Sequence, residues 1–158
     1  MLVSVILFLF QNNLTYSDTN TTKAHADSLL NNGINLVING EYQESITLLS
    51  GALAYFTHAK DTMLLLHSKI NLGNAYRMTG NYDEATEHFN KSLEICLSDS
   101  QKFLFYRASL YKNYSLLLSE TGHYDKSLEM MFNALRIFIT NNGENDINVG
   151  QMYGNLGM

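Results

Sequence analysis

The sequence of 158 residues predicts an all-α fold of repeated helical hairpins, and three observations lead to that prediction. Proline is absent, and helix-forming residues are spread along the whole chain. A Gly-x-Tyr motif begins at Gly40, Gly80 and Gly122, so its spacing is 40 and then 42 residues. Apolar residues flank each motif at the i, i+3, i+4, i+7 spacing of an amphipathic helix. Each motif therefore marks a turn between two helices.

Composition and charge exclude several classes of protein. The chain is 46% hydrophobic, which is normal for one globular domain and too high for a disordered chain. Its net charge of −5 argues against a nucleic-acid surface, which needs clustered basic residues. The single cysteine, Cys96, excludes an internal disulfide and a cysteine-based zinc site.

Residues 1–21 form a separate amino-terminal segment. Residues 2–10 are apolar except for Ser4, a run too short to span a bilayer but long enough for the core of a secretory signal. Residues 11–21 are polar and indicate a linker. No basic residue precedes Lys23, so a misassigned start or a short helix buried against the first repeat are the alternatives. We expect an exported, periplasmic or cell-envelope protein, with the cytoplasm as the alternative.

Residues 22–158 are predicted to form one domain of seven helices, three antiparallel pairs and one unpaired helix. The glycine of each turn is expected to close the first helix of its pair in the left-handed region, where a Cβ is penalised. Asn81, with Glu84 three residues later, predicts a side-chain N-cap for the second helix of its pair. The repeats cover about 26–60, 66–100 and 108–142, with a partial fourth at 150–158, and longer links are expected near 57–61, 97–101 and 140–146.

The middle repeat carries a specific motif: Leu72-Gly73 with Tyr76, the Gly80–Tyr82 turn, and Ala85 with Phe89. This pattern resembles the tetratricopeptide repeat family, in its long-period variety of roughly 42 residues. The other repeats are degenerate, since Gly33 and Ser115 hold the small position, and none ends in the usual proline. The resemblance covers residues 22–158 and implies an α-solenoid of stacked antiparallel hairpins.

The motif of the middle repeat returns in part at the end of the sequence. Leu156-Gly157 lies 84 residues after Leu72-Gly73, which is twice 42. A solenoid repeat does not bury its apolar face alone, and terminal repeats usually carry a polar cap. We therefore expect the chain to be a fragment of a longer protein.

Catalytic chemistry is not predicted. None of the five histidines lies at metal-ligand spacing, and no phosphate-binding, nucleophile-elbow or dinucleotide motif occurs. Cys96 is expected to be a small buried hydrophobe. The acidic pairs near Asp83 and Glu144 stand at helix starts, where carboxylates complement the helix dipole. We expect no enzyme, no metal and no cofactor.

One column of the first helices is enriched in asparagine: Asn31, Asn71, Asn113 and Asn155, at spacings of 40, 42 and 42. The resemblance to long-period repeats implies that an asparagine before Leu-Gly lines the concave groove and clamps the backbone of an extended peptide. An amide suits this role because it both donates and accepts hydrogen bonds. Asn74 lies on the same stripe, and the neighbouring Arg77 and Lys112 are expected to meet acidic ligand groups. Bonds across adjacent helices are the alternative role.

The sequence therefore predicts a non-catalytic module that binds a protein or an extended peptide, as the input or scaffold region of a larger exported or envelope regulatory protein. No nucleic-acid partner is expected. Contact with a membrane is expected only through the amino-terminal segment or through missing carboxy-terminal sequence. The alternatives are a purely structural or assembly solenoid, and a signal-transduction sensor region of a histidine kinase or helix-turn-helix regulator whose effector is missing.

Overall fold

The computed structural model describes residues 22–156, with side chains to residue 155, and this range contains seven α-helices and no strand. They are α1 (22–39), α2 (Tyr42–His58), α3 (Thr62–Met78), α4 (Tyr82–Ser98), α5 (Leu104–Glu120), α6 (Tyr124–Asn142) and α7 (Ile147–Leu156). The predicted all-α solenoid of seven helices is confirmed. The export-signal interpretation of residues 1–21 lies outside the described residues, as do Gly157 and Met158.

The helices pack in the order in which they occur along the chain. Substantial contacts join α2 to α3, α3 to α4, α4 to α5, α5 to α6 and α6 to α7, and α3 also contacts α5. We call α1, α3, α5 and α7 the A helices and α2, α4 and α6 the B helices. Each hairpin is thus one A helix and one B helix, and each new A helix packs on the hairpin before it.

The three hairpin turns share one backbone conformation. Gly40, Gly80 and Gly122 have φ values of +85°, +79° and +81°, in the left-handed region that favours glycine. The residue after each glycine donates its backbone N–H to a carbonyl in the last turn of the A helix, as in Asn81 N to Tyr76 O at 2.9 Å. This is the hydrogen bond of a Schellman motif. The predicted role of the glycines is confirmed.

The predicted side-chain cap at Asn81 is wrong. Its side chain makes no capping bond to α4, and its Nδ2 instead donates to Thr79 Oγ1 at 3.1 Å. The tight turn brings the amide back to the end of α3, so a local partner takes it. A side-chain cap occurs at α3, where Asp61 accepts from the Leu64 N–H at 3.2 Å.

Small residues allow the two helices of a hairpin to approach closely. Gly73 is buried in α3, and an added Cβ there would lie 2.7 Å from Cδ1 of Phe89 in α4. Gly33 faces Leu49 in the same way in the first hairpin, at 2.7 Å from Cγ. In the third hairpin Ser115 is buried, and its carbonyl accepts a bond from Ser127 Oγ of α6 at 2.7 Å.

Replacing Ser127 by alanine is expected to destabilise the fold by about 0.5–1.5 kcal/mol, because a buried bond between α5 and α6 is lost. Ser45 holds the same position in α2, but its buried Oγ has no hydrogen-bond partner among the described residues. Ser45→Ala is therefore the matched control, expected to be neutral or stabilising. Urea unfolding followed by circular dichroism measures both variants. Equal losses of stability would contradict the assigned role of the Ser127 bond.

Candidate functional site

The outward stripes of the A helices form one continuous surface, which we call the A-helix face. Two polar contacts join neighbouring A helices across it. Arg77 of α3 forms an ion pair with Glu120 of α5, and Lys112 of α5 donates to Asn148 and Gln151 of α7. The A helices therefore lie side by side, and the candidate residues of the sequence lie on or beside this face.

Arg77 is held by its neighbours. Its guanidinium donates to Asn74 Oδ1 from Nη2 at 3.0 Å and from Nε at 3.3 Å, while Nη1 pairs with the Glu120 carboxylate. Only 9% of the Arg77 side chain is exposed, against 38% for Glu120. The charge of Arg77 is thus neutralised within the fold, and its position is fixed by these hydrogen bonds and by one from Nη2 to the Met78 sulfur at 2.9 Å.

Lys112 is held in a comparable way one helix further along. Its Nζ donates to Asn148 Oδ1 at 3.1 Å and to Gln151 Oε1 at 3.4 Å. Burial lowers the pKa of Lys112, and the nearby Asp146 carboxylate opposes that effect. The two cations expected to meet acidic ligand groups therefore already have partners on the solenoid.

The four asparagines of the column differ in their surroundings. Asn31 and Asn155 are exposed, whereas Asn71 and Asn113 are half-buried on the neighbouring A helices α3 and α5. Nδ2 of Asn71 donates to the His67 carbonyl of its own helix at 2.9 Å. This bond uses one amide hydrogen and leaves Oδ1 and the second N–H of the side chain for other hydrogen bonds. Asn155 lines a cavity of about 200 Å³ together with residues of α5 and α6, among them Ser119, Tyr124, Ser127, Leu128 and Met131.

Apolar side chains occupy the amino-terminal end of the A-helix face. Ile38 is 76% exposed and Met78 is 41% exposed. These two residues hold the repeat position that Glu120 holds in α5. Since Arg77 contacts Glu120 across the face, the repeat register places Val37 beside Met78. At this repeat position the face is thus apolar on α1 and α3 and acidic on α5.

Two histidines of the middle repeat are partly withdrawn from solvent. His67 makes an edge contact with the Tyr106 ring, and burial lowers its pKa. His88 stacks on Tyr76 at 5.5 Å between ring centroids, and its buried Nδ1 has no partner among the described residues. Burial, followed by the charge of Lys69, lowers the pKa of His88. Both rings are thus favoured in the neutral form.

Acidification is expected to destabilise the fold through these two histidines. In the unfolded chain both titrate near 6.5, so below that pH the unfolded state binds protons that the folded state binds less readily. The contribution of the two neutral histidines to the free energy of unfolding is complete above pH 6.5 and decreases as the pH falls below that value. His88→Gln should reduce the difference in unfolding free energy between about pH 7.5 and pH 5.5. The control is His58→Gln, at an exposed position, and a reduction as large as that of His88→Gln would contradict the role assigned to burial.

The described residues hold few other chemically active groups. Burial raises the pKa of the Cys96 thiol to about 11, so its thiolate fraction near neutral pH is very small. Within residues 22–155, no group of three histidine, cysteine or carboxylate side chains is arranged to hold a metal ion. None of the described helices combines the length and the apolar character needed to cross a membrane.

The contacts between A helices were not predicted from the sequence. Arg77 and Lys112 were expected near the site, but not paired with Glu120 or with Asn148 and Gln151. A signal was present: Arg77 lies one repeat position before Glu120, so side-by-side stacking brings opposite charges together. Comparing residues at the same position of each repeat does not show this contact, because Arg77 and Glu120 hold neighbouring repeat positions.

Comparison with known proteins agrees with the architecture. A tetratricopeptide repeat family model matches residues 25–98, whereas no curated protein matches the chain. The crystal structure of BtubC (BKLC) from P. vanneervenii is similar, with a TM-score of 0.74, 21% identity and 92% of this chain covered. The chain spans 58% of the length of that structure, and at this identity the likeness concerns the fold alone. Residues 25–98 therefore match the tetratricopeptide repeat family, and the described helices after them continue the same helical repeat architecture.

Proposed function

We propose that this chain is a non-catalytic module that holds an extended peptide on its A-helix face, with Asn71 and Asn113 at the centre of the site. Tetratricopeptide repeats are protein-interaction or scaffold modules, so a protein partner follows from the family. The observation that carries the finer proposal is the placement of two half-buried asparagines at equivalent positions of adjacent A helices.

The chemistry of the amide supports this role. The bond from Asn71 to the His67 carbonyl fixes the side chain without using its oxygen. That oxygen can accept a peptide N–H, and the remaining amide hydrogen can donate to a peptide carbonyl. Asn113 offers the same groups one helix further on. Such pairs contact the peptide backbone, so they select an extended chain while the apolar end at Ile38 and Met78 contacts its side chains.

We further propose a cellular location for the module and a role in a larger protein. The apolar run at residues 2–10 supports an exported or envelope location, with the repeats as the input or scaffold region of a larger regulatory protein. A histidine kinase or helix-turn-helix regulator is one form that such a protein takes. A longer reading frame with a membrane span followed by an effector domain would support this, and a polar capping helix after the repeats would support a free-standing adaptor.

A structural solenoid without a peptide ligand is the second candidate. The observation that favours it is that Arg77 and Lys112 are used to tie neighbouring A helices together. In that case the asparagines would likewise serve the stacking of helices, and their loss would lower the stability of the fold.

The double substitution Asn71→Ala with Asn113→Ala separates the two functions. A linear 12-residue peptide selected on the protein from a random phage-displayed library is the probe. We expect its affinity to fall about 5- to 150-fold, because about 0.5–1.5 kcal/mol is lost for each hydrogen-bonding group. Isothermal titration calorimetry measures the affinity, and thermal unfolding measures the stability.

The control is Asn133→Ala with Asn141→Ala on α6. Asn141 Nδ2 donates to the Ile137 carbonyl at 2.7 Å, the same local bond that Asn71 makes, so the control reproduces the change in helix hydrogen bonding away from the A-helix face. Weaker binding with an unchanged melting temperature in the test variant alone supports the proposal. An unchanged affinity, or a large drop in melting temperature specific to the test variant, contradicts it.

A further inference from the structure

We propose that a cavity between α5 and α6 receives an aromatic side chain of a partner protein, flanked in that partner by acidic residues. The cavity has a volume of about 270 Å³ and lies where α5 begins and α6 ends, which we call the link end of the third hairpin. Its apolar part is formed by Leu104, Ala108, Ile137 and Phe138. An adjoining cavity of about 380 Å³ shares Leu104 and Ile137 with it, so the two are continuous. Neither includes a residue of the asparagine column, and the site is therefore distinct from the one on the A-helix face.

The link end of the middle hairpin shows which kind of side chain fits this place. Phe103, in the link between α4 and α5, is 3% exposed and belongs to the same buried cluster as Leu66 of α3 and Cys96 of α4. The Nζ of Lys102 lies 5.2 Å from the centroid of the Phe103 ring. The protein thus already holds one aromatic ring at the link end of a hairpin, with a cation beside it.

The third hairpin lacks such a ring from its own link. The residues 42 positions after Phe103, Leu66 and Cys96 are Asn145, Ala108 and Phe138. Asn145 is exposed, and alanine is smaller than the leucine it replaces. Phe138 fills part of the space, and the cavity is what remains.

The opening is defined by residues that the structure describes. The link at 143–146 and the first turn of α7 are both described, and neither lines the cavity. In the middle hairpin, the buried cluster that contains Phe103 includes only Met130 of the following B helix, α6. Met130 lies in the first half of α6, toward the hairpin turn. A B helix that followed α7 would by the same geometry not cover the link end of the third hairpin.

The charges on the rim indicate the chemistry of the partner. Lys102 lines the cavity, Arg136 lines its continuation, and no carboxylate lines either part. Neither cation forms an ion pair with another described residue. The chain as a whole has a net charge of −5, so an opening bordered by two cations differs from the rest of the molecule. An apolar interior with such a rim favours an aromatic side chain that has acidic neighbours.

A tripeptide of phenylalanine between two aspartates, acetylated and amidated at its ends, is the probe. In a methyl NMR titration of the full chain, the methyl signals of Leu104, Ala108 and Ile137 should shift and saturate. We expect a dissociation constant on the order of 1 mM. The same tripeptide with alanine at its centre should bind at least about tenfold more weakly, because the buried ring is lost. An absence of shifts up to about 10 mM of the phenylalanine tripeptide would overturn the proposal.

Two substitutions should fill the cavity from inside the protein. Ala108→Leu introduces the leucine of the middle hairpin, and Asn145→Phe introduces the ring that its link supplies. Each should weaken binding of the tripeptide at least about tenfold, and Asn145→Phe should also raise the melting temperature because its ring becomes buried. Circular dichroism establishes that each variant is folded. Binding that persists in both folded variants would overturn the proposal.

The role of the rim is tested separately. Lys102→Gln and Arg136→Gln should each weaken the acidic tripeptide about two- to tenfold, but should not affect a version in which asparagines replace its aspartates. Lys126→Gln is the matched control, since Lys126 is also an exposed cation of α6 but lies about three turns from Arg136. An equal loss in this control would contradict the proposed rim. Self-association of the chain that Ala108→Leu abolishes would assign the cavity to a second copy and would also overturn the proposal.

Discussion

Replacing Phe89 by alanine is expected to cost about 3–5 kcal/mol of the free energy of unfolding, the largest effect of any change considered. The ring is fully buried between α3 and α4 and packs against the Tyr114 ring of α5 at 5.3 Å between centroids. It thus joins its own hairpin to the next one. Removing it leaves a cavity between three helices, which the rigid packing of a short solenoid fills only in part. Urea unfolding followed by circular dichroism measures the loss.

Phe105→Ala is the matched control for this prediction. The same atoms are removed, but Phe105 is 64% exposed at the start of α5, so its loss should change stability by no more than about 0.5 kcal/mol. If the two variants unfolded at the same urea concentration, the assigned position of Phe89 in the core would be wrong.

Gly73→Leu is expected to lower the free energy of unfolding by about 1–3 kcal/mol through overpacking. A Cβ at this position would lie 2.7 Å from Cδ1 of Phe89 and closer still to Cε1. The longer leucine side chain has to displace a buried aromatic ring or push α3 away from α4. A thermal melt identical to that of the unmodified chain would contradict the contact between these helices.

Two comparisons make the Gly73 experiment specific. Gly150→Ala in α7 meets no atom within 4 Å, and it should stabilise the helix by up to about 1 kcal/mol through its higher helix propensity. The third repeat carries Ser115 and Met131 where the middle repeat has Gly73 and Phe89. We therefore expect Phe89→Met to recover part of the stability lost in Gly73→Ser, because the flexible methionine makes room for a Cβ.

The sequence was sufficient for the helices and their turns because both depend on short-range patterns. The Gly-x-Tyr spacing located the turns, and the positive φ of Gly40, Gly80 and Gly122 is a local requirement that glycine meets. The period of the apolar residues similarly identified the buried faces of the helices. Each of these features is encoded within about one hairpin.

Contacts that depend on competition between partners were not predictable in this way. Asn81 had the residue type and position of a cap, yet Thr79 Oγ1 takes its amide hydrogen. Arg77 had the residue type of a ligand-binding cation, yet the stacking of α3 beside α5 supplies Glu120 as its partner. In both cases the outcome depends on distances between several acceptors, which only the packed structure supplies.

The order of helix packing has a mechanical consequence. Substantial contacts among the described helices join elements that are one or two apart along the chain, so no early segment is clamped by a late one. Such a chain has low contact order and is expected to fold rapidly by adding one helix to the next. When force is applied to its two ends, the chain should first extend elastically and then unfold in several small steps, not in a single cooperative event.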